Sequence, residues 1–398
     1  MKAIFNSLGS DYDKYKCNLS LLQLFKSDKK NLDKLKEYFV KKYNAKVYFF
    51  YKGRDAIEFV LKKYNIGKGD IVATQAFSCY AIEQGVKRSG AGIIYVDLSE
   101  DSICPSLEDF KNTYKQAKNI KAIILQYTFG FSKDVRKIAE WCKENNILLI
   151  EDLAQSYGSV SSNEKKLGNY ADALVFSFGK GKIIDALSGG TAVLKGKNFS
   201  RLEDKLNLQK IPKIAIFKDL LYPSITSTIR KTYKIGIGKI IFIFAKWMGV
   251  IYSSVAEKYL ASEFPYQYAS LVLYSISELN KDIKHRRIIS NNYLKITNGK
   301  ILITASDIER STCLRFPILF KNSTKVIEYL KKNNIHIFDR WYKNPVDCGS
   351  VNCNSDYKLG SCPNAEYVSK NIINLPTHRE INIDVSNKII YLLNIYNE

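Results

Sequence analysis

Short apolar runs alternate with amphipathic stretches between residues 50 and 195 of the chain. Five runs have the length and composition of buried β-strands: IVAT (71–74), GIIYVD (92–97), KAIILQY (121–127), ILLIED (147–152) and ADALVFS (171–177). Segments with the period of a helix separate the first four runs, near residues 78–89, 106–117 and 133–145. Buried strands that alternate with helices need crossover connections, so the pattern predicts an α/β fold with a mostly parallel sheet. The run TAVLK (191–195) follows a glycine pair closely and is predicted to be an added strand of different direction.

The patterns on either side of this block divide the chain into four predicted parts. They are an N-terminal segment (1–49), a large α/β domain (50–199), a basic and apolar helical insertion (200–262) and a small C-terminal α+β domain (263–398). In the small domain the periodicity predicts a helix over 268–296, a strand at LRFPILF (314–320) and a helix over 323–333.

The insertion contains the apolar stretch IGIGKIIFIFAKWMGVIYSSV (235–255), which is nearly long enough to span a bilayer. Lys239 and Lys246 interrupt it, and a lysine at the bilayer centre costs a few kcal/mol. Because the two lysines are seven residues apart, they share one helix face, which suits a helix lying on a surface. The preferred interpretation is a helix packed on its own protein or on a partner subunit; contact with a membrane surface is the alternative.

The composition excludes some classes of protein. The chain has 398 residues, of which 46% are hydrophobic, so it can bury a large core. The formal net charge of +22 raises the question of nucleic-acid binding. However, basic residues are spread along the whole chain and interleave with acidic ones, so nucleic-acid binding is not predicted. The first residues lack the apolar core of a secretory signal, so we expect a cytoplasmic protein, with peripheral contact at the inner membrane as the alternative.

Three of the eight cysteines (Cys348, Cys353 and Cys362) lie between His336 and His378. Their spacing fits no common metal-binding pattern, so no metal site is predicted and reduced cysteines are expected.

Polar residues follow three of the predicted strands. They are Gln75 to Cys79, Asp152 with Gln155, and Ser177 to Lys182. Ligands of open parallel sheets bind beyond the carboxyl ends of the strands, so these residues are candidates for one functional site.

The stretch EDLAQSYG (151–158) places Asp152 at the end of a buried strand. A carboxylate there is costly unless a cation or a hydrogen-bond donor meets it. A protonated pyridine nitrogen would do so, and the carboxylate would keep that ring charged as an electron sink. Gln155 would lie near the phenolic oxygen of the same ring. The alternative is that Asp152 caps the following turn.

The stretch FSFGKGKIIDALSGG (176–190) places two lysines among glycines directly after a strand. The Ser177 hydroxyl can bind a phosphate, and the loop returns a lysine towards the strand end. A lysine can form an imine with an aldehyde and then move a proton between carbon atoms. Neither GxGxxG after a first strand nor GxxxxGK[ST] is present, so no dinucleotide or Walker site is predicted. The alternative is an exposed basic turn.

Gly53 and Arg54 begin the helix-period stretch GRDAIEFVLKKY. Free backbone N–H groups at a helix start can bind a phosphate, and an anion there would offset the unfavourable position of Arg54. The alternative is that Gly53 is only a turn residue.

Taken in order, these motifs resemble those of the DegT/StrS family of pyridoxal-phosphate-dependent sugar aminotransferases. The matching stretches are GRDAI, GD-IVATQAFSC, GAGIIYVDL, EDLAQSYGS, ADALVFSFGKGK…SGG, RFPIL, RWYKNP and CPNAEYVSKNIINLPTH. They extend from about residue 50 to the end of the chain. The resemblance implies the fold type I, aspartate-aminotransferase-like architecture.

The resemblance also implies roles for individual residues. Lys182 would be the lysine that binds pyridoxal 5'-phosphate covalently, because the family places it five residues after the phosphate-binding serine, here Ser177. Asp152 would pair with the pyridine nitrogen and Gln155 with the ring oxygen. Gly53 and Arg54 occupy the position where backbone groups at a helix start hold the phosphate.

The sequence departs from the family pattern in the stretch TQAFSC. Gln75 stands where the family usually has proline, and Cys79 where an aromatic side chain normally stacks on the cofactor. Phe77 or Tyr80 is the candidate replacement. The insertion is also longer than in compact family members.

The activity implied by the resemblance is transamination in two half-reactions. An amino acid, L-glutamate in this family, would donate nitrogen to a keto-sugar linked to a nucleotide, for amino-sugar or surface-polysaccharide synthesis. Fold type I enzymes build their sites at a dimer interface, so a homodimer is expected. Arg54, Arg310, Arg315 and Arg340 are candidates for holding the donor carboxylate or the diphosphate.

Two alternatives remain at the level of function. One is a sugar dehydratase or another non-transaminating enzyme on the same fold, although such dehydratases have histidine in place of the lysine. The other is a regulatory or membrane-attached protein with a vestigial site.

Overall fold

The computed structural model describes residues 3–26, 29–117, 119–196, 207–252, 260–337, 341–348 and 354–396. The strands in these ranges are β1 (Ile4–Phe5), β2 (Lys46–Phe50), β3 (Ile71–Gln75), β4 (Gly92–Val96), β5 (Ile120–Gln126), β6 (Leu148–Asp152), β7 (Ala173–Ser177), β8 (Gly190–Leu194), β9 (Phe316–Leu319), β10 (Ile335–His336) and β11 (Ile372–Leu375). The helices are α1 (Lys14–Leu22), α2 (Lys30–Tyr43), α3 (Gly53–Lys63), α4 (Tyr80–Ser89), α5 (Leu107–Gln116), α6 (Val135–Glu144), α7 (Lys213–Thr232), α8 (Ile237–Trp247), α9 (Ala269–Tyr293), α10 (Ala305–Arg310), α11 (Ser323–Lys332), α12 (Pro363–Asn371) and α13 (Ile383–Asn394).

A seven-stranded sheet forms the centre of the molecule, in the order β2-β8-β7-β6-β5-β3-β4. Strands β3 to β7 run parallel, whereas β8 is antiparallel to both β7 and β2. The predicted α/β fold with a mostly parallel sheet is therefore confirmed, as is the different direction of the strand at TAVLK. The prediction missed β2, whose sequence KVYFF has no clear alternation.

The crossover helices lie between the strands, as their periodicity indicates. Helix α5 begins at a capping box, in which the Ser106 side chain accepts from the Asp109 N–H and the Asp109 carboxylate accepts in return. Helix α4 ends at Gly90, whose left-handed backbone closes the last turn. Because β3, β6 and β7 run parallel in one sheet, the residues that follow them lie at the same edge of that sheet.

The C-terminal part contains the predicted helices as α9 and α11, and the predicted strand as β9, which pairs antiparallel with β11. Strand β1 pairs in parallel with β10, so the first residues of the chain lie against its C-terminal part. The N-terminal segment also supplies β2 to the edge of the central sheet.

The insertion forms two helices, α7 and α8, where its residues are described. Helix α8 has 11 residues, so the helix is much shorter than the apolar stretch 235–255. Within the described ranges, every helix is too short or too polar to cross a membrane.

Candidate active site

A cavity of about 440 Å³ lies at the carboxyl edge of the parallel strands. Six residues that the sequence singles out line it together: Gly53, Arg54, Asp152, Gln155, Ser177 and Lys182. They come from three separate loops, and the parallel order of the strands brings them to one place. The cavity has the size of a pocket for a small organic molecule.

Two consecutive carboxylates at the end of β6 have different surroundings. Glu151 accepts hydrogen bonds from the Tyr127 hydroxyl and from the N–H groups of Gly168, Tyr170 and Ala171, at 2.6–3.1 Å. These bonds fix the following loop, so Glu151 is a structural residue. Asp152 points to the other side of the sheet and faces the cavity.

The carboxylate of Asp152 is buried but has little to stabilise its charge. Burial raises its pKa, which the N–H of Ala154, 3.0 Å from Oδ1, and the charge of Lys182 partly counteract. The alternative prediction that Asp152 caps the following turn is therefore met in part, since Asp152 accepts a hydrogen bond from the Ala154 N–H. A cationic group in the cavity would favour its ionised form further.

Gln155 is held in a defined orientation. Its Oε1 accepts from the Phe129 N–H at 2.8 Å, and its Nε2 donates to the Tyr342 hydroxyl at 2.5 Å. The amide therefore directs a donor towards the cavity, as a partner for an anionic oxygen would need.

The two lysines of the glycine-rich loop differ in their contacts. Lys180 is buried, and its ammonium lies 2.9 Å from Asp219 Oδ1. Lys182 lines the cavity with its Nζ 4.8 Å from the centre of the Trp341 ring, and no described residue forms a hydrogen bond or ion pair with this ammonium. The structure therefore ties Lys180 to a structural partner and leaves Lys182 available for chemistry.

Asp219 of α7 is the centre of a buried polar cluster that the sequence did not reveal. The hydroxyls of Tyr51 and Tyr268 donate to its Oδ2 at 2.9 Å each, and that of Tyr252 donates to Oδ1 at 3.1 Å. Although burial opposes ionisation, Lys180 and Lys52 hold the pKa of Asp219 below its usual range. The insertion thus anchors the loop that carries Lys182.

The start of α3 forms a cradle with the end of β7. A Cβ atom on Gly53 would lie 3.1 Å from Ser177 Cβ, so the helix start and the serine are in close contact. A Cβ on Gly190 would lie 2.4 Å from the Lys52 carbonyl oxygen and 2.6 Å from Gly53 N, so glycine is needed there. The N-cap residue Lys52 makes no side-chain hydrogen bond to the helix, so its side chain does not occupy the helix start.

Lys52 also lines the cavity and was not predicted as a site residue. Burial lowers the pKa of Lys52 to about 8. The carboxylate of Asp219 acts against this shift, whereas the positive charges of Lys180 and Arg54 add to it. An anion in the cradle would relieve this repulsion.

The candidate arginines are dispersed. Arg54 lines the cavity, and its guanidinium donates to Gln84 Oε1. Arg310 is half-exposed and pairs with Asp307 at 3.1 Å, outside the cavity. Arg315 is buried 5.6 Å from the Trp341 ring without lining the cavity, and Arg340 lies outside the described residues.

Trp341 and Tyr342 are the aromatic side chains that the C-terminal part brings into the cavity. Cys79 lines it as well, whereas Phe77 and Tyr80 do not, and the residue that stacks on the cofactor stays a prediction. Trp341 and Tyr342 were not predicted as site residues because they lie far along the chain from the strand-end motifs, although they belong to the matching stretch RWYKNP.

The cavity also has walls that local motifs did not indicate. Residues 7–11 of the N-terminal segment close one side, and Phe242, Lys246 and Tyr252 of the insertion close another.

The described residues contain no cluster of metal-ligating side chains. His378 is buried, and its Nε2 lies 2.8 Å from the Phe5 carbonyl oxygen. Cys348 is disulfide-bonded, which corrects the expectation of reduced cysteines at that position, and Cys353 lies outside the described residues.

The mostly parallel sheet, with a lysine- and carboxylate-bearing cavity at its carboxyl edge, defines an α/β protein with a candidate active site. The chain belongs to the DegT/DnrJ/EryC1/StrS aminotransferase family, whose sequence model matches residues 29–213 and 264–394.

Individual relatives include sugar aminotransferases. The chain is 30% identical over 141 residues to GDP-perosamine synthase of Vibrio cholerae, an alignment that spans 35% of this chain and 38% of that protein. It is 23% identical to dTDP-3-amino-3,6-dideoxy-alpha-D-galactopyranose transaminase of Aneurinibacillus thermoaerophilus, over 86% of this chain and 84% of the relative. A pleiotropic regulatory protein of Geobacillus stearothermophilus is 22% identical, over 83% of this chain and 79% of that protein.

Among solved structures, the fold matches that of S. venezuelae DesV, crystallised with a ketimine intermediate. The TM-score is 0.73 at 16% sequence identity, over 99% of this chain and 98% of DesV.

Proposed function

We propose that the protein is a pyridoxal-phosphate-dependent aminotransferase that moves an amino group from an amino acid, L-glutamate, to a nucleotide-linked keto-sugar. The product would enter amino-sugar or surface-polysaccharide synthesis. The observation that carries this proposal is the position of Lys182, which faces Asp152 and the Ser177–Gly53 cradle across one cavity in a chain of this aminotransferase family.

The residues fit the cofactor at three points. The cradle at the start of α3 offers N–H groups and the Ser177 hydroxyl to a phosphate, and Lys52 adds a positive charge. Asp152 is a buried carboxylate that a pyridinium would stabilise. Gln155 presents a donor to a phenolic oxygen. Pyridoxal phosphate, when bound, supplies an aldehyde and an electron-accepting ring.

The residues of the chain would then share the work of proton transfer and orientation. Lys182 Nζ would bind the cofactor aldehyde and, once displaced by an amino donor, move a proton as base and then as acid. Asp152 would keep the ring nitrogen charged, while the cradle would hold the phosphate fixed. Lys246 and Lys343, which line the cavity, are our candidates for the anionic groups of the substrates.

The sugar acceptor is supported by the names of the relatives, two of which act on nucleotide-linked sugars. We also propose a cytoplasmic location and a homodimeric assembly. The second candidate is a regulatory protein on the same fold, which the resemblance to the pleiotropic regulatory protein favours.

Borohydride reduction followed by peptide mapping tests the cofactor, its anchor and the regulatory alternative together. The wild type and Lys180→Arg should carry a reduced pyridoxyl group on Lys182, because Lys180→Arg keeps the charge that pairs with Asp219. Lys182→Arg should carry none and should lose transaminase activity by about 10²–10⁴-fold.

Two outcomes would contradict the proposal in different ways. An adduct on Lys180 would keep the cofactor but overturn the assignment of Lys182. No adduct after addition of pyridoxal phosphate would leave a protein without this chemistry and would favour the regulatory alternative.

A further inference from the structure

Helix α8 and the residues next to it expose an unusual number of large apolar side chains. They are Ile235, Ile237, Ile240, Ile243, Phe244, Trp247 and Met248. Trp247 is 80% exposed and Ile240 69%. A contiguous apolar surface of this kind on a folded protein marks an interaction site. We call these seven residues the α8 face.

Helix α8 packs on α7 through its small residues. Gly238 and Ala245 are the buried positions of the helix, and a Cβ on Gly238 would lie 2.3 Å from the Ile229 carbonyl oxygen of α7. The small side therefore allows close contact with the protein, and Ile241 and Phe242 pack beside it against a buried apolar cluster. The preferred interpretation, a helix packed on its own protein or on a partner subunit, is thus met for this side of α8, whereas the seven side chains of the α8 face stay exposed.

The charge around the α8 face has one sign. Residues 220–252 contain no aspartate or glutamate, and the exposed cations there are Lys231, Lys234, Lys239 and Lys246. No described residue forms a salt bridge with any of these four lysines. The surface is therefore both apolar and cationic, which is the composition of helices that lie in an anionic lipid interface.

A second copy of the chain is a poor partner for the α8 face. A two-fold interface places the same patch on both sides, so a second copy would bring four more lysines to the face and no acidic residue of 220–252 to pair with them. The face also lies between residues 213 and 264, in the stretch that the family model does not match.

A membrane-spanning role does not fit either. Eleven helical residues extend about 16 Å, against about 30 Å for the hydrocarbon core of a bilayer. A helix of this length can lie along the surface, where Trp247 is suited to the headgroup region and lysines reach the phosphates.

We propose that the α8 face binds the surface of an anionic phospholipid bilayer. The helix lies parallel to the membrane, with its isoleucines, Phe244 and Trp247 inserted below the headgroups. Since Phe242 and Lys246 of the same helix line the cavity, this arrangement places the cavity next to the membrane surface.

Vesicle flotation with the full-length protein tests this proposal. Vesicles of phosphatidylcholine with 30% phosphatidylglycerol, on the order of a physiological anionic content, are compared with pure phosphatidylcholine. The wild type should float with the anionic vesicles and at least about tenfold less with the neutral ones, and salt should weaken the binding. Ile240→Ser/Ile243→Ser/Trp247→Ser should lose at least about tenfold of the binding. Lys234→Gln/Lys239→Gln should lose about fivefold per lysine.

The matched control is Leu359→Ser/Tyr391→Ser, which removes exposed apolar side chains elsewhere and should float like the wild type. Wild type that stays at the bottom with anionic vesicles would overturn the proposal, as would an apolar triple variant that floats unchanged. The proposal would also be overturned if wild type does not float and the triple variant converts a dimer into a monomer. The α8 face would then be a subunit interface. If the triple variant misfolds, the weaker flotation expected for the lysine variant and at higher salt still tests the proposal.

Discussion

At the residue scale, neighbouring side chains with the same chemistry have different roles because their surroundings differ. Glu151 accepts four hydrogen bonds and fixes a loop, whereas Asp152 has one N–H and faces the cavity. Lys180 pairs with Asp219, whereas Lys182 does not. The family resemblance singled out Asp152 and Lys182, and the alternation of a strand and the path of a loop give the physical reason why their neighbours have other contacts.

Asp152→Asn should separate function from stability. Burial raises the pKa of Asp152, so its ionised form lowers the stability of the apoprotein at neutral pH, and this cost disappears as the pH falls below the pKa of the unfolded chain. The variant should therefore be as stable as wild type or up to about 1 kcal/mol more stable at pH 7, with the difference shrinking towards pH 4. Its transaminase kcat should fall by about 10²–10³-fold. Urea unfolding at several pH values and steady-state kinetics measure both effects.

Glu151→Gln is the matched control for this variant. It weakens the bonds that the carboxylate accepts and should cost about 2–5 kcal/mol of stability. If Asp152→Asn were the more destabilising of the two, the assignment of Asp152 to the cofactor rather than to the fold would be wrong.

At the scale of elements, the parallel strands were predictable because each is a buried apolar run between helical segments. Strand β2 was missed because an edge strand with lysine and aromatic residues has no such pattern. The predicted site residues lie at strand ends and a helix start, where local motifs are readable. Lys52, Trp341, Tyr342 and the Asp219 cluster were missed because their roles depend on contacts between distant elements.

Gly190→Ala should damage the contact between β8 and the start of α3. The new Cβ would meet the Lys52 carbonyl oxygen at 2.4 Å, which backbone atoms cannot relieve cheaply. We expect a loss of about 1–3 kcal/mol in urea unfolding. We also expect weaker binding of pyridoxal phosphate, measured by titration of the apoprotein, because the cradle moves.

Gly92→Ala provides the comparison, since it also alters the first residue of a strand. Its new Cβ would lie 3.6 Å from the Asp70 carbonyl oxygen, an ordinary contact, so the change should stay within about 0.5 kcal/mol. Equal effects of the two substitutions would show that the close approach at Gly190 is not what matters.

At the scale of the whole molecule, four parts of the chain surround the cavity: the central sheet with its loops, the N-terminal segment, the insertion and the C-terminal part. The sequence predicted the first of these in detail. It could not predict the others, because β1 and the α7–α8 pair reach the site through long-range packing that no local period encodes.

We expect the protein to be a homodimer in solution. Exposed apolar side chains outside the α8 face, including Leu22 and Phe25, provide surface for a subunit interface. Sedimentation velocity at decreasing protein concentration should show a dimer, with activity lost in parallel with dissociation. A monomer that remains fully active at high dilution would contradict this prediction.

The pairing of β1 with β10 determines the order in which parts of the molecule can fold during synthesis. Ile4 lies opposite Ile335, so Ile4 cannot pair until the roughly 330 residues between the two strands have been synthesised. At about 5–20 residues per second, that wait lasts on the order of tens of seconds. Residues 7–11 follow β1 directly and wall the cavity. A nascent chain therefore completes its central sheet long before it can close its active site, and the cofactor meets a finished pocket only after β10 has been synthesised.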